Sequence, residues 1–286
     1  MHHRRRRKPK KNFMLPLLGL LLIGTITAAV CVQLTKAAPH QPDSTQAASE
    51  PDTQPTSPST DATGETTQPT TEAPTAGGYD YGEPVPQSEA VDNSYFDDAV
   101  FIGDSRTEGL ILYTGLSNTT VYANQGLMVD TVFTSPVIQM DGQKLSVVEA
   151  LRRTEFKKVY IMLGINETGW AYESIFIDKY KALVEEIQSI NPQAIIYIQE
   201  IMPVTAETSR THSYVKNEKI QRYNELLAKL AEEMGVYYID TGAAVADESG
   251  CLPEEAAIDG IHLKKPYCDK WLDYLKTHTV QPEKGA

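Results

Sequence analysis

Short apolar runs alternate with amphipathic segments over the second half and more of the chain. Five runs rich in β-branched and aromatic residues are typical of buried parallel strands. They lie at 99–102, 120–122, 159–163, 194–198 and 236–239. Apolar residues at helical spacing predict helices at 107–113, 145–153, 172–190, 213–234 and 265–277. Strands that alternate with helices in this way predict a three-layer α/β/α sandwich around a parallel sheet of about five strands.

The amino-terminal pattern is different, because an uncharged run of 22 residues fills most of positions 13–35. A helix of that length spans the apolar core of a bilayer. Basic residues crowd positions 1–12, so the positive-inside rule predicts a cytoplasmic tail followed by an uncleaved transmembrane signal anchor, with the rest of the chain outside. The alternatives are a signal peptide cleaved after Ala37 or Ala38 and a lipid anchor on Cys31.

Thr, Ser, Pro, Gln and acidic residues dominate positions 36–95, and no Lys or Arg occurs between Lys36 and Arg106. A segment with little apolar surface and one sign of charge cannot offset its ordering entropy, so it is predicted to be a disordered linker. The globular domain is then expected at 96–286. An unspecific stalk is favoured over a ligand-binding segment.

Charge narrows the class of partner. The net charge is −12, yet eight basic residues lie in positions 1–36, so the remainder carries a formal charge of −20. Nucleic acid as the main partner is therefore not expected, because phosphate contacts need a clustered positive surface. Three Cys residues are too few for a disulfide scaffold or a cysteine-rich metal site.

Polar residues at the carboxyl ends of the predicted strands are the candidates for chemistry, since sites of such sheets lie there. Ser105 follows the first strand at the start of a helix, where both its hydroxyl and its N–H are presented; the same Gly-Asp-Ser pattern is also common as a turn with a helix cap. Asn166 follows the third strand. Asp259 and His262 lie three residues apart further on. Each signal is weak alone.

Together and in this order, these motifs resemble the SGNH hydrolases, the GDSL-type esterases and lipases with a flavodoxin-like sandwich, over about residues 96–279. The resemblance implies that Ser105 is the nucleophile, His262 the general base and Asp259 the residue that orients the imidazole. It also implies an oxyanion hole made by the N–H groups of Ser105 and Gly126 and by the side-chain amide of Asn166.

Three positions qualify this resemblance. Gly115 also lies between the first two strands and competes with Gly126 for the second motif. Arg106 stands where the family nickname has Leu, and Glu167 stands where Asp often follows the Asn. Neither of these two departures removes a group that the chemistry requires.

The activity that the resemblance implies is acyl transfer through an acyl-enzyme, without a cofactor or metal. We expect an extracellular, membrane-tethered bacterial serine esterase that hydrolyses small acyl esters, chiefly acetyl esters of cell-envelope or other glycans. A lysophospholipase or short-chain lipase and an acyltransferase with the same triad are the alternatives within the enzyme class. A catalytically idle glycan-binding module is the alternative outside it.

Two further features remain open from the sequence. Trp170, Tyr172 and residues 202–204 follow strands, so they either line the substrate pocket or pack as ordinary loops. Cys251 and Cys268 flank the segment with the predicted acid and base. They either form a disulfide that holds that segment in place or remain separate thiols.

Overall fold

The computed structural model describes residues 79–280. The strands are β1 (Ala99–Gly103), β2 (Thr120–Ala123), β3 (Ile138–Met140), β4 (Gln143–Leu145), β5 (Lys158–Met162), β6 (Ile195–Gln199) and β7 (Tyr237–Ile239). The helices are α1 (Ser105–Thr114), α2 (Val147–Leu151), α3 (Glu173–Ile190), α4 (Ala206–Thr211), α5 (Asn217–Met234) and α6 (Lys265–Thr277). The predicted α/β class and the five predicted strands are confirmed.

One parallel sheet organises the domain, with the strand order β2-β1-β5-β6-β7. Strand β5 is central, and its neighbour β1 pairs with β2 on one side and with β5 on the other. Gly103 at the end of β1 is in register with Ala123 and Met162 at the ends of its neighbours. The loops that follow these three strands therefore meet at the carboxyl edge of the sheet.

Alternate residues of the strands are buried in two hydrophobic cores, one on each face of the sheet. Helices α2, α3 and α5 cover one face and bury residues such as Val100 and Ile102. Helices α1 and α6 cover the other face. There the rings of Phe101, Tyr160 and Tyr197 stack across three strands at centroid distances of 4.7 and 4.5 Å. Burial on both faces explains why the strands are continuously apolar.

Several predicted boundaries needed correction. The helix predicted at 213–234 begins at Asn217, because the preceding residues form the separate helix α4 and a turn in which His212 Nδ1 accepts the N–H of Val215. The helix predicted at 145–153 is only Val147–Leu151. The residues before it form the unpredicted hairpin β3–β4, whose turn holds Asp141 and Gly142 at positive φ. An Asp-Gly pair is a known hairpin signal.

Residues 79–95, which precede the predicted start of the globular domain at residue 96, pack on that domain. The rings of Tyr79 and Tyr81 lie against Tyr237 with centroids 5.0 and 5.3 Å away. Val85 is buried, and its N–H donates to the carbonyl of Tyr238 at 2.9 Å. The segment covers the edge of β7 that pairs with no other strand of the sheet. Burial of its apolar side chains supplies the energy for ordering it.

The predicted cytoplasmic tail at 1–12, the transmembrane anchor at 13–35 and the rest of the linker lie outside the described residues. Between residues 79 and 280, no helix combines the length and the apolar character needed to cross a membrane.

Candidate active site

Ser105 is the first residue of α1, directly after the turn that ends β1. Asp104 caps this helix, because its buried carboxylate accepts the N–H of Arg106 at 2.9 Å. Burial raises the pKa of Asp104, although the nearby Arg106 guanidinium and the cap hydrogen bond oppose this shift. The first N–H groups of a helix have no partner within the helix. Ser105 thus presents a hydroxyl and an N–H at the positive end of the helix dipole.

His262 and Asp259 complete a hydrogen-bonded chain that starts at this hydroxyl. Ser105 Oγ lies 2.8 Å from His262 Nε2, and His262 Nδ1 lies 2.7 Å from Asp259 Oδ2. The second carboxylate oxygen of Asp259 accepts the backbone N–H groups of Ile261 at 3.0 Å and His262 at 2.9 Å. Partial burial raises the pKa of Asp259, but these hydrogen bonds outweigh it and hold the pKa below its ordinary value. The carboxylate is therefore ionised at neutral pH.

The tight loop that carries both residues depends on Gly260. Its φ is +86°, and a Cβ at this position would lie 1.9 Å from Thr208 Oγ1. The Gly260 carbonyl also accepts the N–H of Thr205 at 2.9 Å. The N–H of Ile258 donates to the carbonyl of His262 at 2.8 Å and closes the loop. The loop geometry thus presents the acid and the imidazole to Ser105 as one unit.

The predicted oxyanion residues come from the loops after β2 and β5. Asn166 Nδ2 donates one hydrogen to the carbonyl of Leu127 at 3.1 Å. An amide nitrogen carries two hydrogens, so this bond fixes the amide plane and leaves one donor. Gly126, adjacent to Leu127, adopts a φ of +74° in the turn after β2. The competing Gly115 caps the far end of α1, away from Ser105.

Glu167, the residue that departs from the family pattern after Asn166, links the loop after β5 to the loop after β2. Its Oε1 accepts the N–H of Val129 at 2.6 Å, and its Oε2 is buried without a hydrogen-bond partner. Burial raises the pKa of Glu167 to about 8, and the carboxyl groups of Asp104 and Asp130 contribute to the rise. Glu167 is therefore largely a neutral acid at pH 7. Sequence reasoning noted the substitution but not this link.

Arg106, the other departure, is buried next to Ser105. Its guanidinium donates to the carbonyls of Met202 at 2.6 Å and Pro203 at 3.5 Å, which joins α1 to the loop after β6. Burial lowers the pKa of Arg106 to about 10, against the opposing effects of Asp104 and Asp259. The guanidinium remains charged at neutral pH and holds α1 against the loop after β6.

A cavity of about 280 Å³ opens beside the hydrogen-bonded chain. Ser105, Asp259 and His262 line one side of it. Side chains of α1 and of the segment around Ile258 line the rest. Trp170, Tyr172 and residues 202–204, which the sequence offered as pocket candidates, do not line this cavity. Met202 and Val204 are buried in the two cores instead.

The disulfide alternative is wrong, because Cys251 and Cys268 are both free thiols. Cys251 Sγ accepts a hydrogen bond from Asn217 Nδ2 at 3.3 Å, while Cys268 is buried in α6. Backbone hydrogen bonds, rather than a covalent link, hold the loop of Asp259 and His262.

Several proteins of known structure are similar to this chain. A Streptococcus pneumonia protein named in connection with platelet activating factor has a TM-score of 0.51 and 21% identity, covering 64% of this chain and 89% of its own. A GDSL-like lipase from Bacteroides thetaiotaomicron has a TM-score of 0.48 and 15% identity, and the match covers 65% of this chain and 86% of the lipase. Est24, a carbohydrate acetylesterase from Sinorhizobium meliloti, has a TM-score of 0.45 and 15% identity, and the match covers 62% of this chain and 95% of Est24. No curated protein sequence matches the chain.

The family model for the GDSL-like lipases and acylhydrolases matches residues 101–265. This span is more than half of the chain, and it runs from β1 through Ser105, Asn166, Asp259 and His262 to the start of α6. The chain therefore belongs to the GDSL-like lipase/acylhydrolase family.

Proposed function

We propose that this member of the acylhydrolase family is a serine esterase that removes small acyl groups, chiefly acetyl, through an acyl-enzyme. The observation that carries the proposal is the continuous hydrogen-bonded chain from Ser105 Oγ through the imidazole of His262 to the carboxylate of Asp259, with distances of 2.8 and 2.7 Å. Nucleophile and base within hydrogen-bond reach, and a third group that orients the base, are the requirements for nucleophilic acyl transfer.

Ser105, His262 and Asp259 each have a defined role in the proposed reaction. His262 Nε2 takes the proton as Ser105 Oγ attacks the ester carbonyl carbon, and the C–O bond to the alcohol then breaks as Nε2 returns the proton to the leaving oxygen. Water then attacks the carbonyl carbon of the acyl-enzyme while His262 Nε2 takes a proton from it. The bond to Ser105 Oγ breaks, Nε2 returns the proton to Oγ, and the acid is released. Asp259 keeps Nδ1 protonated and stabilises the imidazolium.

The oxyanion that forms on the carbonyl oxygen requires hydrogen-bond donors already in place. We assign this role to the N–H groups of Ser105 and Gly126 and to the second hydrogen of Asn166 Nδ2. The bond from Asn166 to Leu127 supports the assignment, because a donor that is already oriented costs little reorganisation when charge develops.

The place of action and the substrate are proposed from the sequence. The uncharged run within 13–35 and the basic residues before it favour a single-pass anchor with an extracellular domain, and the acidic linker would hold the domain off the membrane. A surface-tethered, acidic enzyme suits small acyl esters, chiefly acetyl esters, of cell-envelope or other glycans.

The test uses the full chain in a polyoxyethylene ether detergent, which contains neither ester nor sugar. Hydrolysis of acetyl, butyryl and octanoyl 4-nitrophenyl esters is compared for the wild type, for Ser105→Ala and for Ser174→Ala, an exposed serine on α3 as the matched control. We expect rates that fall with acyl length, vanish in Ser105→Ala and persist in the control.

Other outcomes point elsewhere. Rates that rise with acyl length favour a lipase or lysophospholipase. Transfer of the acetyl group to an added sugar in preference to water favours an acyltransferase. A folded wild type that hydrolyses none of these esters or acetylated sugars contradicts the proposal and favours the glycan-binding module, which a glycan-binding screen would then address.

A further inference from the structure

The cavity beside the nucleophile follows one face of helix α1. Ser105, Glu108, Gly109 and Leu112 all line it, and these positions are three, four and seven residues apart in sequence. Residues at this spacing lie above one another on a helix. The cavity thus begins at the proposed nucleophile and extends along α1, with Ile258 on the opposite wall.

The position of the cavity determines which part of an ester it can hold. His262 lines it, whereas Asn166 and Leu127 do not. The loops of the oxyanion donors lie toward the other face of the sheet, since Leu127 and Ile165 belong to the core under α2, α3 and α5. The carbonyl oxygen of a bound ester points toward those donors. The leaving oxygen has to contact His262 Nε2 to receive its proton, so the alcohol part extends into the cavity.

The charges of the cavity favour a neutral alcohol over an anionic one. Arg106 also lines it, but its guanidinium donates to the carbonyls of Met202 and Pro203. Asp259 is engaged with His262. Glu108 is exposed, and among residues 79–280 it has neither an ion pair nor a side-chain hydrogen bond. Its carboxylate can accept hydrogen bonds from hydroxyl groups, and it repels phosphate or carboxylate.

The size and the walls of the cavity suit one ring. Its volume of about 280 Å³ is just below the typical range of ligand pockets, about 300–1,000 Å³. Leu112, Tyr113 and Ile258 supply apolar walls beside the carboxylate of Glu108. A sugar ring has this combination of apolar C–H faces and hydroxyl edges.

We infer that this cavity binds the alcohol part of the ester, a neutral hydroxyl-rich group of about one sugar ring, and that Glu108 accepts a hydrogen bond from one of its hydroxyls. The inference rests on the proposed esterase function and extends it to a substrate class and a specificity-determining residue. An ester whose alcohol carries phosphate, as in a lysophospholipid, is disfavoured by the same carboxylate.

Gly109 offers a variant that fills the cavity without endangering the fold. A Cβ at Gly109 would meet only the ring of Tyr113, at 4.0 Å, and its φ lies outside the left-handed region. Gly109→Ala therefore fits and improves the helix propensity of α1. Gly109→Leu extends further into the cavity beside Ser105, so the two variants form a graded pair.

The assay measures kcat/KM by acid release in a pH-stat, with the full chain in the same detergent. The acetyl group is constant and the alcohol varies: methyl acetate, a monoacetylated neutral sugar and acetylated glycerol phosphate. We expect Gly109→Leu to lower the sugar-to-methyl selectivity at least tenfold and Gly109→Ala to lower it less. Glu108→Gln should lower the sugar-to-phosphate selectivity about tenfold, because it weakens a charge-assisted hydrogen bond and removes a repulsion. Glu185→Gln, an exposed carboxylate on α3, is the matched control.

The failures of the two proposals are distinguishable. If the wild type hydrolyses methyl acetate but Gly109→Leu and Glu108→Gln leave both selectivities unchanged, the cavity inference is overturned and the esterase proposal stands. The inference is also overturned if Gly109→Leu instead changes the preference among methyl acetate, butyrate and hexanoate, because the cavity then holds the acyl part. A wild type that hydrolyses no ester overturns both.

Discussion

Replacing Glu167 by Gln tests whether Glu167 is a neutral acid in the folded protein, where it links the two loops that carry the proposed oxyanion donors Gly126 and Asn166. Gln keeps an oxygen that can accept the N–H of Val129 and removes the group that titrates. Asp104, Asp130, Tyr180 and Tyr223 are the ionisable groups whose charges act on or respond to Glu167. All four remain in the variant. The difference between the wild type and Glu167→Gln therefore isolates the proton of Glu167.

The raised pKa predicts the sign and size of the effect on stability. Below pH about 4.5 the carboxyl group of Glu167 is protonated in the folded and the unfolded chain. Between pH 4.5 and about 8 the unfolded chain loses this proton while the folded chain keeps it, so the free energy of unfolding falls as pH rises. At 1.36 kcal/mol per pKa unit, the full loss amounts to roughly 5 kcal/mol, of which roughly 4 kcal/mol falls between pH 4.5 and pH 8.5.

Urea denaturation followed by tryptophan fluorescence at pH 4.5 and pH 8.5 measures this effect. We expect the stability of Glu167→Gln relative to the wild type to increase by roughly 4 kcal/mol between the two pH values. Glu200 also has a pKa raised to about 8, by burial and by its contact with Asp240, but it titrates in both proteins and cancels in the comparison. Parallel pH profiles for the two proteins would refute the reasoning.

Three further predictions concern the site, the fold and the thiols. Asn166→Ala should lower kcat on an acetyl ester about 100- to 1,000-fold with a smaller change in KM, because one oxyanion donor is lost; an unchanged kcat would exclude Asn166 from this role. Gly103→Ala should destabilise the domain by about 2–3 kcal/mol in urea denaturation, since its Cβ would lie 2.0 Å from Thr107 Oγ1; a loss below about 0.5 kcal/mol would contradict this. Alkylation of the denatured, unreduced protein followed by peptide mass spectrometry should label both Cys251 and Cys268.

The features that the sequence predicts best are those with a local signal. The last helix occupies the predicted residues, Lys265–Thr277, because its apolar spacing and the Pro in its first turn are both local. Ser105 and His262 are 157 residues apart, and only the parallel order of the strands brings them within hydrogen-bond reach. The alternation of strands and helices predicted the parallel sheet, and the resemblance implied that Ser105 and His262 act together.

The features that the sequence misses depend on contacts between distant segments. Val85 lies in a Pro-rich, acidic stretch that is typical of disorder, and only the uncovered edge of β7 explains why it is ordered. The cavity along α1 is lined from two sides, so neither segment alone indicates it. The spacing of Glu108 and Gly109 from Ser105 was the signal that could have suggested a binding face.

The segment that covers β7 also determines on which side of the domain the described chain begins. Pro84 and Tyr238 form a parallel bridge, so the chain enters beside the amino end of β7 and runs toward the catalytic edge. Val280, at the other limit of the described chain, lies with Tyr81 and Lys157 in a groove at the amino ends of the strands. Both ends of the described chain are therefore on the side of the sheet opposite to Ser105. Neither end of the described chain passes over the cavity beside Ser105, so a large polymer can approach Ser105 without meeting the first or the last described residues.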